Sequence, residues 1–293
     1  MKWEGQRESD NVEDGRSSSG GGGGIGFGGG RIGIGGIVVA LLASWAFGVN
    51  PLTVLGLMQG GHVSAPQQQQ APTPATHPTD PSARFVSVVL ASTEDVWTAY
   101  FARSNQKYTP PRLHLFRGQT ATACGNGEAA TGPFYCPADQ KVYIDLSFYD
   151  TMRTQLGAPG EFAQAYVIAH EVGHHVQYLL GTSEKVDRYR QQHSQREGNA
   201  ISVKLELQAD CYAGIWAKLS QQSKNWLEAG DVESALNAAS QIGDDTLQRK
   251  ARGTVMPESF THGSSAQRVR WFKRGMEGGQ LKDCNTFEAG VQL

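Results

Sequence analysis

The stretch EFAQAYVIAHEVGHHVQYLL, Glu161–Leu180, decides how this chain is read. Phe162, Ala165, Ile168 with Ala169, Val172, Val176 and Leu179 recur at intervals of three and four, which predicts an amphipathic helix over 161–180 ended by Gly181. Inside it stands His170-Glu171-Val172-Gly173-His174. Helical residues four apart differ by about 40° around the axis and about 6 Å along it, so both imidazoles reach one ion while the Glu between them reaches a water beside that ion. His175 is rotated about another 100° and is read as structural or as a support for the ligands. Gly173 keeps the surface beside the ligands uncrowded, at a helix cost of about 1 kcal/mol.

Downstream, NAISVKLELQADCYAGIWAKL (199–219) predicts a second helix, with Ile201, Leu205, Ala209, Tyr212, Trp216 and Leu219 along its apolar stripe. Glu206 and Asp210, again four apart, project beside that stripe. Buried carboxylates are costly unless paired or bound to a metal. Glu206 is therefore expected as the third ligand of one zinc ion, with the fourth position left for water. Asp210 is expected to accept the second ring N–H of a ligand histidine. A third cluster is FTHGSSAQR, Phe260–Arg268. Ser264 with Gln267 predicts a capping box that opens a helix continuing through Trp271 and Phe272. His262 lies on the loop before it, and the imidazole of His262 or the guanidinium of Arg268 can stabilise an oxyanion there. The plainer readings are a loop histidine and, for Arg268 with Arg270, Lys273 and Arg274, a solvated basic face.

Upstream, RFVSVVL and TEDVWTAYFARS read as a strand and then a helix, and PRLHLFRG and KVYIDLSF as strands flanking a Gly-rich loop between Cys124 and Cys136. The result is an α+β domain. A bridge across that loop stabilises by about 3 kcal/mol in the chain-entropy model. Cys211 and Cys284 complete an even count that fits an oxidising compartment, although four cysteines allow three connectivities. None of the four shows C-x-x-C spacing, which argues against a cysteine-based zinc site.

The N-terminal quarter differs from all of this. Twelve of the 36 glycines lie between Gly20 and Gly36, without the G-X-Y period of collagen. No Lys, Arg, Asp or Glu occurs from Ile32 to Thr79. Residues 1–31 are expected to form a cytoplasmic, Gly-rich, disordered tail, Ile32–Met58 a single membrane-spanning helix, 59–82 a Pro/Gln-rich linker, and 83–293 the catalytic domain. A cleaved signal peptide is the alternative; the long acidic leader, the length of the apolar run and Pro66 directly after Val63-Ser64-Ala65 argue against it. Lys2, Arg7, Arg16 and Arg31 precede the span, which places the N-terminus inside and the bulk outside. His62 and His77 are ordinary linker residues. Beyond residue 82 the charge is balanced within a total of −2, so no nucleic-acid partner is expected.

The stretches KWEGQRESDNVEDGR, TACGNGEAATGPFYCPADQKVYIDLSFYD, YVIAHEVGHHVQ, ELQADCYAGIWA, ALNAASQIGDD and SFTHGSSAQRVRWFKRG resemble the neutral zinc metallopeptidases, a family of membrane-anchored bacterial proteins. The H-E-x-x-H with E-x-x-A-D is also similar to the gluzincins, of which thermolysin is a member. This resemblance implies a zincin-like α+β fold, His170, His174 and Glu206 as zinc ligands, Glu171 as catalytic base and Asp210 behind the ligands, with looser counterparts for His262 and Arg268. In zincins an edge strand beside the site helix aligns an extended peptide; KVYIDLSF is either that edge or an interior strand. The expected activity is zinc-dependent endopeptidase action on envelope or periplasmic proteins, from a domain carried on the bacterial inner membrane. The alternatives are a zinc-containing envelope binding or chaperone-like module without peptidase activity, and an interaction scaffold with an accidental motif.

Overall fold

The structure is a computed structural model that describes residues 1–16, 80–128 and 132–293. In chain order the elements are β1 (Val12–Asp14), α1 (Pro81–Ala102), β2 (Arg112–Phe116), β3 (Gln119–Thr122), β4 (Gly125–Glu128), β5 (Phe134–Cys136) and β6 (Lys141–Asp145). There follow α2 (Ser147–Thr151), which runs into a π-helical turn, then α3 (Glu161–Leu179), α4 (Thr182–Gln192), α5 (Gln195–Lys224), α6 (Asp231–Gln241), α7 (Asp244–Arg252) and α8 (Ser265–Gly278). The α+β expectation is met by a helix-rich fold around a small sheet.

The sheet runs β1-β2-β6-β5, with β1, β2 and β6 parallel and β5 antiparallel to β6. Strand KVYIDLSF is therefore interior, and the edge beside it is β5. The β3–β4 hairpin is tied to β5 by the Cys124–Cys136 disulfide, above a small cluster of Phe116, Cys136 and Tyr143.

Segment RFVSVVL is not a strand. Asp80 caps the first turn by accepting the Ala83 N–H at 3.0 Å, Pro81 occupies the first turn, and one helix, α1, runs unbroken for 22 residues. Phe85, Val86, Val88, Val89, Leu90 and Ala91 are all buried, so no polar face exposes the helical period, and three valines in that run imitate strand composition.

Over residues 1–16 the expected N-terminal tail is also corrected; residues 17–31 lie outside the described residues. Trp3 is buried against Phe85 and donates its indole N–H to Glu161 at 2.9 Å. Arg7 and Asn11 reach the buried Glu94 at 3.0 and 2.8 Å, and Ser9 bonds it at 2.5 Å. Val12 pairs with Leu113 and Asp14 with Leu115 in the parallel ladder. Arg16 then bridges Asp14 and Asp80, each at 2.5 Å. Residues 1–16, 80–128 and 132–293 thus share one sheet and one core, and parts of one folded unit lie on one side of any membrane. That overturns the single-pass arrangement with a cytoplasmic N-terminus and the catalytic domain across the inner membrane. Among the described residues no helix is long and apolar enough to cross a membrane. The expected span Ile32–Met58 lies outside the described residues, as do the Gly20–Gly36 tract and linker residues 59–79.

Three helices position the site. The site helix α3 crosses α5 where Gly173 meets Ala209: a Cβ on Gly173 would lie 3.0 Å from the Ala209 carbonyl oxygen. Gly173 is thus a close-approach residue between helices rather than a gap at the ligands. Helix α5 is buried on every side from Leu207 to Ala217, and α8 packs along it with Gly214 and Gly275 at the crossing, where any Cβ would strike the facing backbone. The Cys211–Cys284 disulfide fastens the C-terminal turn to α5.

Candidate active site

Helix α3 presents His170 and His174, and α5 presents Glu206. His170 Nε2 lies 3.2 Å from His174 Nε2 and 3.2 Å from Glu206 Oε2, and His174 Nε2 lies 3.4 Å from Glu206 Oε1. A tetrahedral zinc ion with ligands at 2.0–2.2 Å spaces its donors ~3.3–3.5 Å apart, and the three spacings here, two of them to different oxygens of Glu206, are close to that. They form the group able to hold a metal ion among the described residues.

The other ring nitrogens explain why these atoms converge. His170 Nδ1 faces the Asp210 carboxylate at 2.8 Å and His174 Nδ1 faces the Gln177 amide oxygen at 2.8 Å. With each Nδ1–H donated to an acceptor, each neutral imidazole turns an unprotonated Nε2 inward. Two lone pairs and a carboxylate at such distances repel unless a cation lies between them. Metal-free, Asp210 and Glu206 outweigh the burial that lowers His170 and raise its imidazole to about 10, so a proton takes the cation's part.

Behind His170 lies a closed network. Asp210, fully buried on α5, accepts from Tyr166 at 2.5 Å, from His170, and from Arg268 Nε at 2.8 Å and Nη2 at 2.9 Å. Burial opposes ionisation of Asp210, but Arg268 and His170 hold it at about 2. Burial, with Glu206 adding, raises the Glu171 carboxyl, while His170 and His174 pull it down.

The structure thus brings together His170, Glu171, His174, Glu206 and Asp210. Arg268 joins them, but from behind: it is buried and committed to Asp210 rather than lying on a solvated basic face. The Ser264–Gln267 capping box forms as expected at the start of α8. His262 stands on the loop before it, with its side chain nearly half exposed and Nδ1 3.3 Å from Asp244. His175 is buried; its Nε2–H donates to the Thr109 carbonyl at 2.8 Å and its Nδ1 accepts the Tyr135 hydroxyl at 2.9 Å, linking β5 to the site helix. Burial holds its imidazole down at about 4.

Three residues escaped the sequence reading. Tyr166 sits one turn before His170, and Gln177 three residues after His174, each on the face its ligand shares. Asp244 binds the backbone N–H groups of Thr261, His262 and Gly263 at 2.8, 2.6 and 3.0 Å, shaping the His262 loop. The polar residues at helical spacing were signals for the first two; Asp244 meets its partners only through the tertiary fold.

No solved structure matches the chain. Two relatives span much or all of it. The "Uncharacterized protein YpfJ" of Escherichia coli (strain K12) is 53% identical over 295 residues, covering 99% of this chain and 100% of that protein. The "Uncharacterized protein Rv2575" of Mycobacterium tuberculosis (strain ATCC 25618 / H37Rv) is 41% identical over 216 residues, covering 70% of this chain and 72% of that protein. The sequence profile of one family matches residues 1–287, the N-terminal segment included. With the profile and the donor set in agreement, the chain belongs to the family described as "Putative neutral zinc metallopeptidase".

Proposed function

We propose that this chain is a zinc-dependent endopeptidase that hydrolyses unfolded or extended protein segments. The observation that carries the reading is the convergence of two imidazole Nε2 atoms and a carboxylate at 3.2–3.4 Å, one residue from a buried Glu171. His170, His174 and Glu206 would hold the ion. Bound zinc supplies Lewis acidity toward a carbonyl and lowers the pKa of a water to about 7. Glu171, its carboxyl raised by burial, takes the proton of the attacking water and returns it to the departing amine nitrogen. His262, anchored through Asp244, is the donor for the oxyanion that forms on the substrate. Arg268 acts on Asp210 and not on substrate.

Strand β5, the sheet edge tied to the site helix through Tyr135 and His175, is the surface on which an extended peptide pairs. Three protein ligands are the complement of a catalytic zinc site, whereas structural zinc is usually enclosed by four. That favours the peptidase over a binding or chaperone-like module.

The test is elemental analysis of the purified full chain, followed by turnover of an unfolded protein by wild type, Glu171→Gln and chelated enzyme. One zinc per chain, and turnover abolished by both treatments, is the expected result. Turnover surviving in Glu171→Gln would sink the mechanism.

A further inference from the structure

We infer that Gln177 is a positioning residue for the metal ligand His174, setting which nitrogen of that imidazole carries the proton. The inference rests on the metal site proposed above and deepens it. Gln177 is fully buried on α3, where an amide is costly unless bonded. Its Nε2 lies 2.6 Å from the Leu205 carbonyl oxygen and 3.1 Å from Gln208 Oε1. A carbonyl oxygen only accepts, so the Gln177 NH2 group must face Leu205 and the amide oxygen must face His174. At 2.8 Å that oxygen requires a donor, which assigns the proton to His174 Nδ1 and leaves Nε2 bare.

The far end of the chain is fixed in the same way. Gln208, itself buried, donates its Nε2–H to the Cys284 carbonyl at 3.1 Å, so its amide oxygen is the one turned to Gln177. Backbone carbonyls of Leu205 and Cys284 cannot rotate to become donors. Every proton from His174 to Cys284 therefore points one way, and the Cys211–Cys284 disulfide holds the terminal carbonyl against α5. His170 is set by an anion, Asp210; His174 is set by a neutral amide relay whose direction comes from the backbone.

Two substitutions separate positioning from mere helix-to-helix packing. Gln177→Met fills the space but offers His174 no comparable acceptor. Gln177→Glu restores an acceptor for His174 Nδ1 while losing the donors to Leu205 and Gln208, so it damages the packing link and keeps the positioning one. In the full chain, zinc affinity is measured by competition with a chromophoric chelator. The visible spectrum of the cobalt-substituted protein and the melting temperature of the metal-free protein are recorded beside it. Gln177→Met is expected to bind zinc about 10–100-fold more weakly, with an altered cobalt spectrum, whereas Gln177→Glu melts lower yet keeps wild-type zinc affinity. Wild-type zinc affinity and an unchanged cobalt spectrum in Gln177→Met would overturn the inference, as would equal loss of affinity in both variants. Should Gln177→Met fail to fold, the imidazole 15N shifts of neutral His174 in the metal-free wild type take its place: a proton on Nδ1 supports the inference and a proton on Nε2 overturns it. A wild-type protein that binds no zinc would remove the metal site and the inference with it, an outcome distinct from a zinc-loaded wild type matched by Gln177→Met.

Discussion

Arg268 and Asp210 form a two-point ion pair wholly out of water, directly behind His170, with Nε on Oδ2 at 2.8 Å and Nη2 on Oδ1 at 2.9 Å. The guanidinium neutralises the carboxylate and fixes the oxygen that receives the His170 N–H. Removing one partner of such a pair strands a buried charge, so Arg268→Ala is expected to cost about 3–5 kcal/mol in urea unfolding of the metal-free chain. A cost below about 1 kcal/mol, the range of exposed pairs, would show that Asp210 is held by other groups.

Glu171 and Glu206 should separate chemistry from metal binding. Glu171→Gln is expected to keep one zinc per chain and lower kcat by about 10²–10⁴-fold. Glu206→Ala, which removes the only ligand contributed by α5, is expected to lose the zinc. Elemental analysis beside turnover decides it; zinc retained by Glu206→Ala would remove Glu206 from the ligand set.

The His262 imidazole supplies a pH signature. Although the side chain is nearly half exposed, the partial loss of water around the ring works against its charge, but Asp244 foremost and Glu206 next raise it from 6.5 to about 9, with Arg268 opposing. A folded-state value above the unfolded one means that this stabilisation is complete below pH 6.5 and fades as pH rises through about 9. If His262 acts as the charged oxyanion donor, kcat/KM falls over the same upper window. Asp244→Asn should move the His262 titration, followed by its ring proton resonances, toward 6.5. An unmoved titration would mean that Asp244 shapes the loop without controlling the ring.

The N-terminal segment should behave as part of the domain. Trp3→Ala empties a site against Phe85 and removes the bond to Glu161 at the start of α3. It is expected to cost about 3 kcal/mol and lower Tm accordingly. An unchanged Tm would return residues 1–16 to the status of a tail.

What sequence alone determined about this protein is periodic and local. His170, Glu171 and His174 share a helix face because 3.6 residues make a turn, and Glu206 and Asp210 share theirs for the same reason. Ser264 and Gln267 cap α8 through atoms three residues apart. Tertiary structure decided the rest, because long-range contacts leave no period. Burial on every side erased the stripe of α1, so Arg84–Leu90 read as a strand. A three-residue, mostly polar β1 gave no signal of its own, yet its pairing with β2 placed residues 1–16 in the fold and overturned the expected single-pass arrangement. Arg268, basic among basic neighbours, became the buried partner of Asp210 only because α8 packs on α5 with glycines at the crossing. Sequence spacing sets which side chains point the same way along one helix; which helix they meet depends on how closely two backbones can approach.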